Sequence, residues 1–174
     1  FGPSLELRRT IRSHLGVPEI HIRDTVVNCG NSPAPHMILY HCNFGYPLID
    51  EGARLVWNGT TRSRGGAQDD AIFASDHDGT VCQRPLPEHA GPGEACAFVH
   101  PVPGEDGQCV AGVRNPRISL ALSLAFDGAQ LPCLTNWQHW GAREYVTALE
   151  PGTHFPVGQG VARDDETLIM LAPG

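Results

Sequence analysis

A chain of 174 residues, 41% of them hydrophobic and 18% charged, is long enough for one domain with a real core and short for two. Its net charge is −7, and its twelve basic residues are all arginine and scattered, with only Arg62 and Arg64 beside Gly65-Gly66 hinting at a basic loop. Nucleic acid is therefore excluded as an expected partner, and so is a membrane, since no run approaches the ~20 apolar residues of a span.

The sequence begins at Phe1, already inside what reads as a strand over 5–9, where Leu5 and Leu7 alternate with Glu6 and Arg8. That start predicts the C-terminal part of a longer protein. A second strand is predicted over 18–28, with Ile20, Ile22 and Val26 on one side. The stretch 36–50, HMILYHCNFGYPLID, then predicts a strand over 36–42 that ends in the polar cluster Tyr40-His41-Cys42-Asn43, followed by an aromatic Gly/Pro turn. A rigid strand that fixes an imidazole beside such a turn is a common way to build a site in a β-sandwich, and histidine exchanges protons near neutral pH. The alternative for His41 is a half-buried ring satisfied by a backbone carbonyl. His36 and His41 are five apart, on opposite faces of a strand, so they do not converge on a metal; no metal site and no cofactor are expected.

Further strands are predicted over 54–57, 94–100 and 108–114, with polar, Gly/Pro-rich loops over 58–80 and 84–93. The clearest strand signal is RISLALSLAF, 117–126, in which Ile118, Leu120, Leu122, Leu124 and Phe126 alternate with small residues. That pattern predicts a sheet covered on both faces. Twenty glycines and fifteen prolines punctuate the chain, no window of a dozen residues carries a helical period, and the expected class is all-β in a single domain, 1–174. Six cysteines without a CxxC pair read as reduced thiols of a cytoplasmic protein, with a disulfide framework as the other possibility.

The C-terminal stretch LPCLTNWQHWGAREYVTALEP, 131–151, predicts two strands, 132–139 and 144–150, joined at Gly141-Ala142; a last strand is predicted over 166–171. Trp137 and Trp140, if exposed near a strand end, would suit stacking on a sugar's C–H face; otherwise they are core aromatics. Tyr145, Thr147 and Leu149 alternate with Val146, Ala148 and Glu150, which places Glu150 beside small Ala148 just before Pro151-Gly152 breaks the strand. A carboxylate in a partly dry pocket has its pKa raised toward base duty; the alternative is an ion pair with an arginine. Packed sheets could bring Glu150 to His41, the two facing across a ring-sized gap so that one protonates an oxygen while the other deprotonates another.

DTVVNCGNSPAPHMILYHCNFGYPLIDEGARL, taken with NWQHWGAREYVTALEPGTHFPVG, resembles a bacterial branch of the aldose 1-epimerase (galactose mutarotase-like) superfamily, from about residue 4 to the terminal LIMLAPG. The resemblance implies a large antiparallel β-sandwich of the galactose mutarotase-like type with its N-terminal part missing, so that an upstream arginine and a second histidine of such sites would precede Phe1. HCNF partly matches the superfamily's His-x-x-Phe-Asn context and implies His41 as the acid, with Asn43 beside it. ALEPGTHFP implies Glu150 as the base. In GEACAFVH, 93–100, either Glu94 or His100 would replace the superfamily's site aspartate. The implied activity is mutarotation or epimerisation of a monosaccharide or modified sugar, without cofactor or metal. A non-catalytic sugar-binding sandwich is the second reading, a metal-dependent sugar isomerase the third, and the oligomeric state stays open.

Overall fold

The computed structural model describes residues 3–74 and 76–174; Ser75, within the loop expected over 58–80, and the first two residues lie outside the described set. The chain divides into two compact units, one made of residues 1–37 and 159–174, the other of residues 38–158.

In the first unit, β1 (Leu5–Ser13) and β2 (Ile20–Asn28) form an antiparallel hairpin, and β3 (Ala34–His36) pairs with the final strand of the chain, Ile169–Leu171. Buried Asn28 ties the two pairs together. Its Nδ2 donates to the carbonyls of Ser32 at 2.8 Å and Leu171 at 2.9 Å, and its Oδ1 accepts from the Gly30 N–H. The predicted strands 5–9 and 18–28 are both present; the first runs four residues longer.

The second unit carries the candidate chemistry. Its main sheet is antiparallel and five-stranded, built from β4 (Cys42–Phe44), β6 (Gly59–Ser63), β7 (Ala95–Pro101), β10 (Cys133–Trp140) and β11 (Tyr145–Gly152) in the order β4-β11-β10-β7-β6. A second, three-stranded sheet is made of β5 (Arg54–Trp57), β8 (Gln108–Asn115) and β9 (Leu120–Asp127). The core lies between them: Phe44, Val99, Leu134, Trp140 and Leu149 from the main sheet meet Leu55, Ala111, Val113 and Phe126 from the other. Because strand side chains alternate, the residues between these core positions share the opposite face of the main sheet.

The register of the two central strands is pinned by buried amides on the core side. Gln138 Nε2 donates to Asn136 Oδ1 at 2.7 Å and to the Gly79 carbonyl at 2.8 Å, while Gln138 Oε1 accepts from Trp140 Nε1 at 2.9 Å. Asn136 Nδ2 reaches across to the Ala148 carbonyl at 2.9 Å and to Thr147 Oγ1 at 3.2 Å. Both amides are fully buried, and their mutual satisfaction makes a polar ladder tolerable inside a core.

Three expectations change. The predicted strand 36–42 is two short strands, β3 and β4, because the boundary between the units falls within it at Met37–Ile38. The predicted loop 58–80 contains β6 and a seven-residue helix, α1 (Ala67–Phe73): β6 is a polar edge strand with no apolar alternation to read, and α1 is too short to show a period. The leucine-rich run 117–126 is not covered on both faces. Its strand starts at Leu120, ends the order of its sheet, and leaves Leu120 48% and Leu122 42% exposed. The second helix, α2 (Gln159–Asp164), belongs to the first unit, and Ile169–Leu171 is β12. The six cysteines are free thiols, and among the described residues no helix is long and apolar enough to cross a membrane.

If the amide ladder fixes the register, Gln138→Ala removes one partner each from the Gly79 carbonyl, Asn136 and Trp140 inside the core. The expected loss is about 2–4 kcal/mol in urea unfolding, against less than about 0.5 kcal/mol for Asn43→Ala on the exposed rim.

Candidate functional site

Five strands contribute one row of side chains to the face of the main sheet that points away from the core. Arg62 pairs with Phe98, Phe98 with Thr135, and Thr135 with Glu150. On the far side of β11, the Leu39–Gly152 bridge and the Cys42–Leu149 pair keep one register, which sets His41 opposite Glu150. The row therefore reads Arg62, Phe98, Thr135, Glu150, His41. A neighbouring row reads Asn43, Ala148, Trp137 and Cys96.

Glu150 is 4% exposed, and its Oε1 lies 3.0 Å from His41 Nε2, on a side chain that is half exposed. Burial pushes the Glu150 carboxyl above its ordinary value, His41 draws it back, and nearby Glu94 pushes it further up; the net direction is upward. His41 and Glu150 do meet, but not across a ring-sized gap: they are in direct contact. Among the described residues no arginine pairs with Glu150.

Trp137 stands beside the pair, edge-on to the His41 ring at 5.8 Å between centroids. Its other neighbour is His139, stacked at 5.9 Å and 10°. The indole Nε1 donates to Glu94 Oε2 at 2.6 Å, so the ring is fixed in place. Glu94 Oε1 in turn accepts from Arg64 Nη1 at 2.7 Å, and Arg64 also grips buried Asp69 through Nε at 3.1 Å and Nη2 at 3.0 Å. Burial raises Glu94, but the Arg64 guanidinium and the Trp137 N–H outweigh it and hold the carboxyl below its ordinary value. Two carboxylates on one face are thus driven in opposite directions, the pattern expected when one stays an anion and the other handles a proton.

The other residues expected from sequence fall into two groups. Asn43 sits exposed on β4 two residues from His41, on the same face, opposite Ala148. His100 is exposed on that face and packs edge-on against Phe155 at 5.0 Å. Trp140 does not belong to the site: it is fully buried in the core, tilted on Tyr145 at 4.8 Å, because a residue three positions from Trp137 in a strand points to the other face. Sequence reasoning missed Arg62, Phe98, Thr135 and His139. The last two are two residues either side of Trp137 and were findable by alternation alone; Arg62 and Phe98 join the face only through strand pairing. Thr135 is 1% exposed, and its hydroxyl has no hydrogen-bond partner among the described residues.

A cleft of about 590 Å³, lined among others by Gln68, Ile72, His77, Leu86 and His89, includes none of the row's residues. Among the described residues no three His, Cys, Asp or Glu side chains are grouped so as to hold a metal ion.

The sequence model of a family described as a domain of unknown function, DUF4432, matches residues 1–174. The chain belongs to that family. This DUF4432 chain is also similar to the crystal structure of a "putative aldose 1-epimerase" from Klebsiella pneumoniae subsp. pneumoniae, with a TM-score of 0.88 and 26% identity over 98% of its length. It spans 43% of that protein's chain. No curated protein matches the sequence. The all-β antiparallel architecture is that of the aldose 1-epimerase-like superfamily, as the two quoted motifs implied.

The raised Glu150 carboxyl has a consequence for stability. Folded, it keeps its proton to higher pH than unfolded, so the native state binds more protons above the ordinary value of 4.5 and stability falls as pH rises through that window. Glu150→Gln removes the effect. The variant is expected to gain stability relative to the parent between about pH 4 and about pH 7, read as urea midpoints, and an unchanged difference would contradict the raised value.

Proposed function

We propose that this DUF4432 chain carries the acid/base pair of a cofactor-independent sugar mutarotase or epimerase, with Glu150 as base and His41 as acid. The observation that carries the reading is the buried carboxylate of Glu150 in direct contact with a half-exposed imidazole, 3.0 Å apart. The likeness to the Klebsiella protein supports sugar chemistry on this fold.

Direct contact suits a hemiacetal better than a wide gap would. The anomeric hydroxyl oxygen and the ring oxygen are bonded to the same carbon, so the groups that serve them must sit side by side. Glu150 takes the proton from the anomeric hydroxyl while His41, entering with its proton, donates to the ring oxygen. The C1–ring-oxygen bond breaks, the electron pair goes to that oxygen, and a carbonyl forms at C1. Rotation about C1–C2 and reclosure with the two roles exchanged yield the other anomer. A base raised by burial is closer in proton affinity to its task than an exposed glutamate.

Trp137 supplies apolar surface beside the pair, and Glu94, rather than His100, is the third polar group of the site, since it holds the indole and keeps its charge. The monosaccharide or modified sugar is the partner in this reading, and free thiols suit the cytoplasm as its location.

Nuclear magnetic resonance or polarimetry on freshly dissolved α-anomers tests the proposal with full-length protein. Glu150→Gln and His41→Ala are each expected to lower kcat by about 10²–10⁴-fold, with Trp137→Ala acting mainly on KM. If the parent accelerates exchange no more than Glu150→Gln does across a broad sugar panel, a non-catalytic sugar-binding sandwich is the better account.

A further inference from the structure

The row that ends at the Glu150–His41 pair begins at a cation with no counter-ion. Arg62 makes no hydrogen bond or ion pair among the described residues, in a chain whose net charge is −7. Its guanidinium lies 4.8 Å over the ring of Phe98, the next residue of the row, and 5.6 Å from that of Phe155. Those two rings are stacked on each other at 4.6 Å, and Phe98 is 2% exposed, so the platform is rigid. Other arginines of this chain also face solvent. Arg62 differs in lying over two aromatic rings, which attract a cation without neutralising it. Arg64, two residues on and on the same face, is saturated by Asp69 and Glu94.

From these observations we infer that the site takes sugars carrying a negative charge, a phosphate or carboxylate on the carbon remote from the anomeric centre, with Arg62 as the residue that recognises it. The inference rests on the sugar site proposed above. Three strand spacings of about 4.8 Å separate the backbones of Arg62 and Glu150, roughly 14 Å in all. The guanidinium lies over Phe98, one strand further in, which leaves about two spacings, roughly 10 Å, to the strand that carries Glu150. The remaining span suits a six-membered ring with a substituent on its exocyclic carbon. Phe155, partly exposed and backed by buried Phe98, offers apolar surface to the C–H face of the ring, and a planar guanidinium presents paired N–H donors to a carboxylate or phosphate. His100, edge-on to the same Phe155, stands at this end of the face as a further polar group.

The test uses full-length protein with glucose, glucose 6-phosphate and glucuronate, read in parallel by calorimetric binding and by anomer exchange in magnetic resonance. The charged sugars are expected to bind about 10-fold or more tighter than glucose, as hydrogen bonds to a charged partner require. Arg62→Met keeps the methylene stem over Phe98 and removes the charge. It is expected to abolish the advantage of charged over neutral sugar, while Arg62→Lys retains part of it. The phosphate and carboxylate arms show which group is preferred. Equal binding of charged and neutral sugars, a preference that survives Arg62→Met, or no binding of any of the three overturns the inference. Arg62-dependent binding of a charged sugar without faster anomer exchange upholds it while removing the catalytic reading.

Discussion

The site depends on one constraint: the register in which β10 and β11 are paired. Thr135 faces Glu150 and Trp137 faces Ala148 only in that alignment. A slip of one residue would carry Glu150 into the core and Leu149 onto the site face, together with every other side chain of the strand. The buried amides of Asn136 and Gln138 forbid it, because their bonds run between strands and to a distant loop carbonyl and could not be remade one position along. A polar ladder on the core side thus secures the contact of Glu150 with His41 on the other.

Electrostatically, the face is organised by pairing what must be quiet and leaving unpaired what must act. Asp69 is buried but fully engaged, by two Arg64 nitrogens and by the Cys96 N–H at 2.8 Å. Glu94 is held as an anion by the same arginine and by the indole. Glu150 has a half-exposed imidazole beside it that draws its carboxyl down, but burial outweighs that and leaves it raised. The same division separates the two arginines of β6 and its following turn.

Much of the architecture was legible because strands announce themselves by alternation. The predicted segments 54–57, 94–100, 108–114, 132–139 and 144–150 each correspond to an observed strand within a residue or two. What failed did so for local reasons. The polar sequence Gly59–Ser63 pairs on one side only and had no apolar face to display. The leucines of 117–126 alternate cleanly, yet alternation does not say whether anything covers them. Trp140 was grouped with Trp137 for its chemistry, although a spacing of three places two strand residues on opposite faces; the period of two already held that answer. His41 was expected to meet Glu150 across a ring-sized gap between packed sheets; the two are instead neighbours in one sheet and in contact, since that distance follows from register, which composition and spacing do not encode. Arg62 was visible only as part of a basic pair of residues, because its place in the row comes from partners 36 and more positions away.

The two ends of the working row lie on the border strands of the sheet, β6 and the approach to β4, while the glutamate lies on an interior one. Borders are held by a neighbour on one side alone and tolerate replacement far better than interior positions do. The group at position 62 is therefore open to exchange at little cost to the fold, whereas Glu150 is anchored by a paired strand on either side.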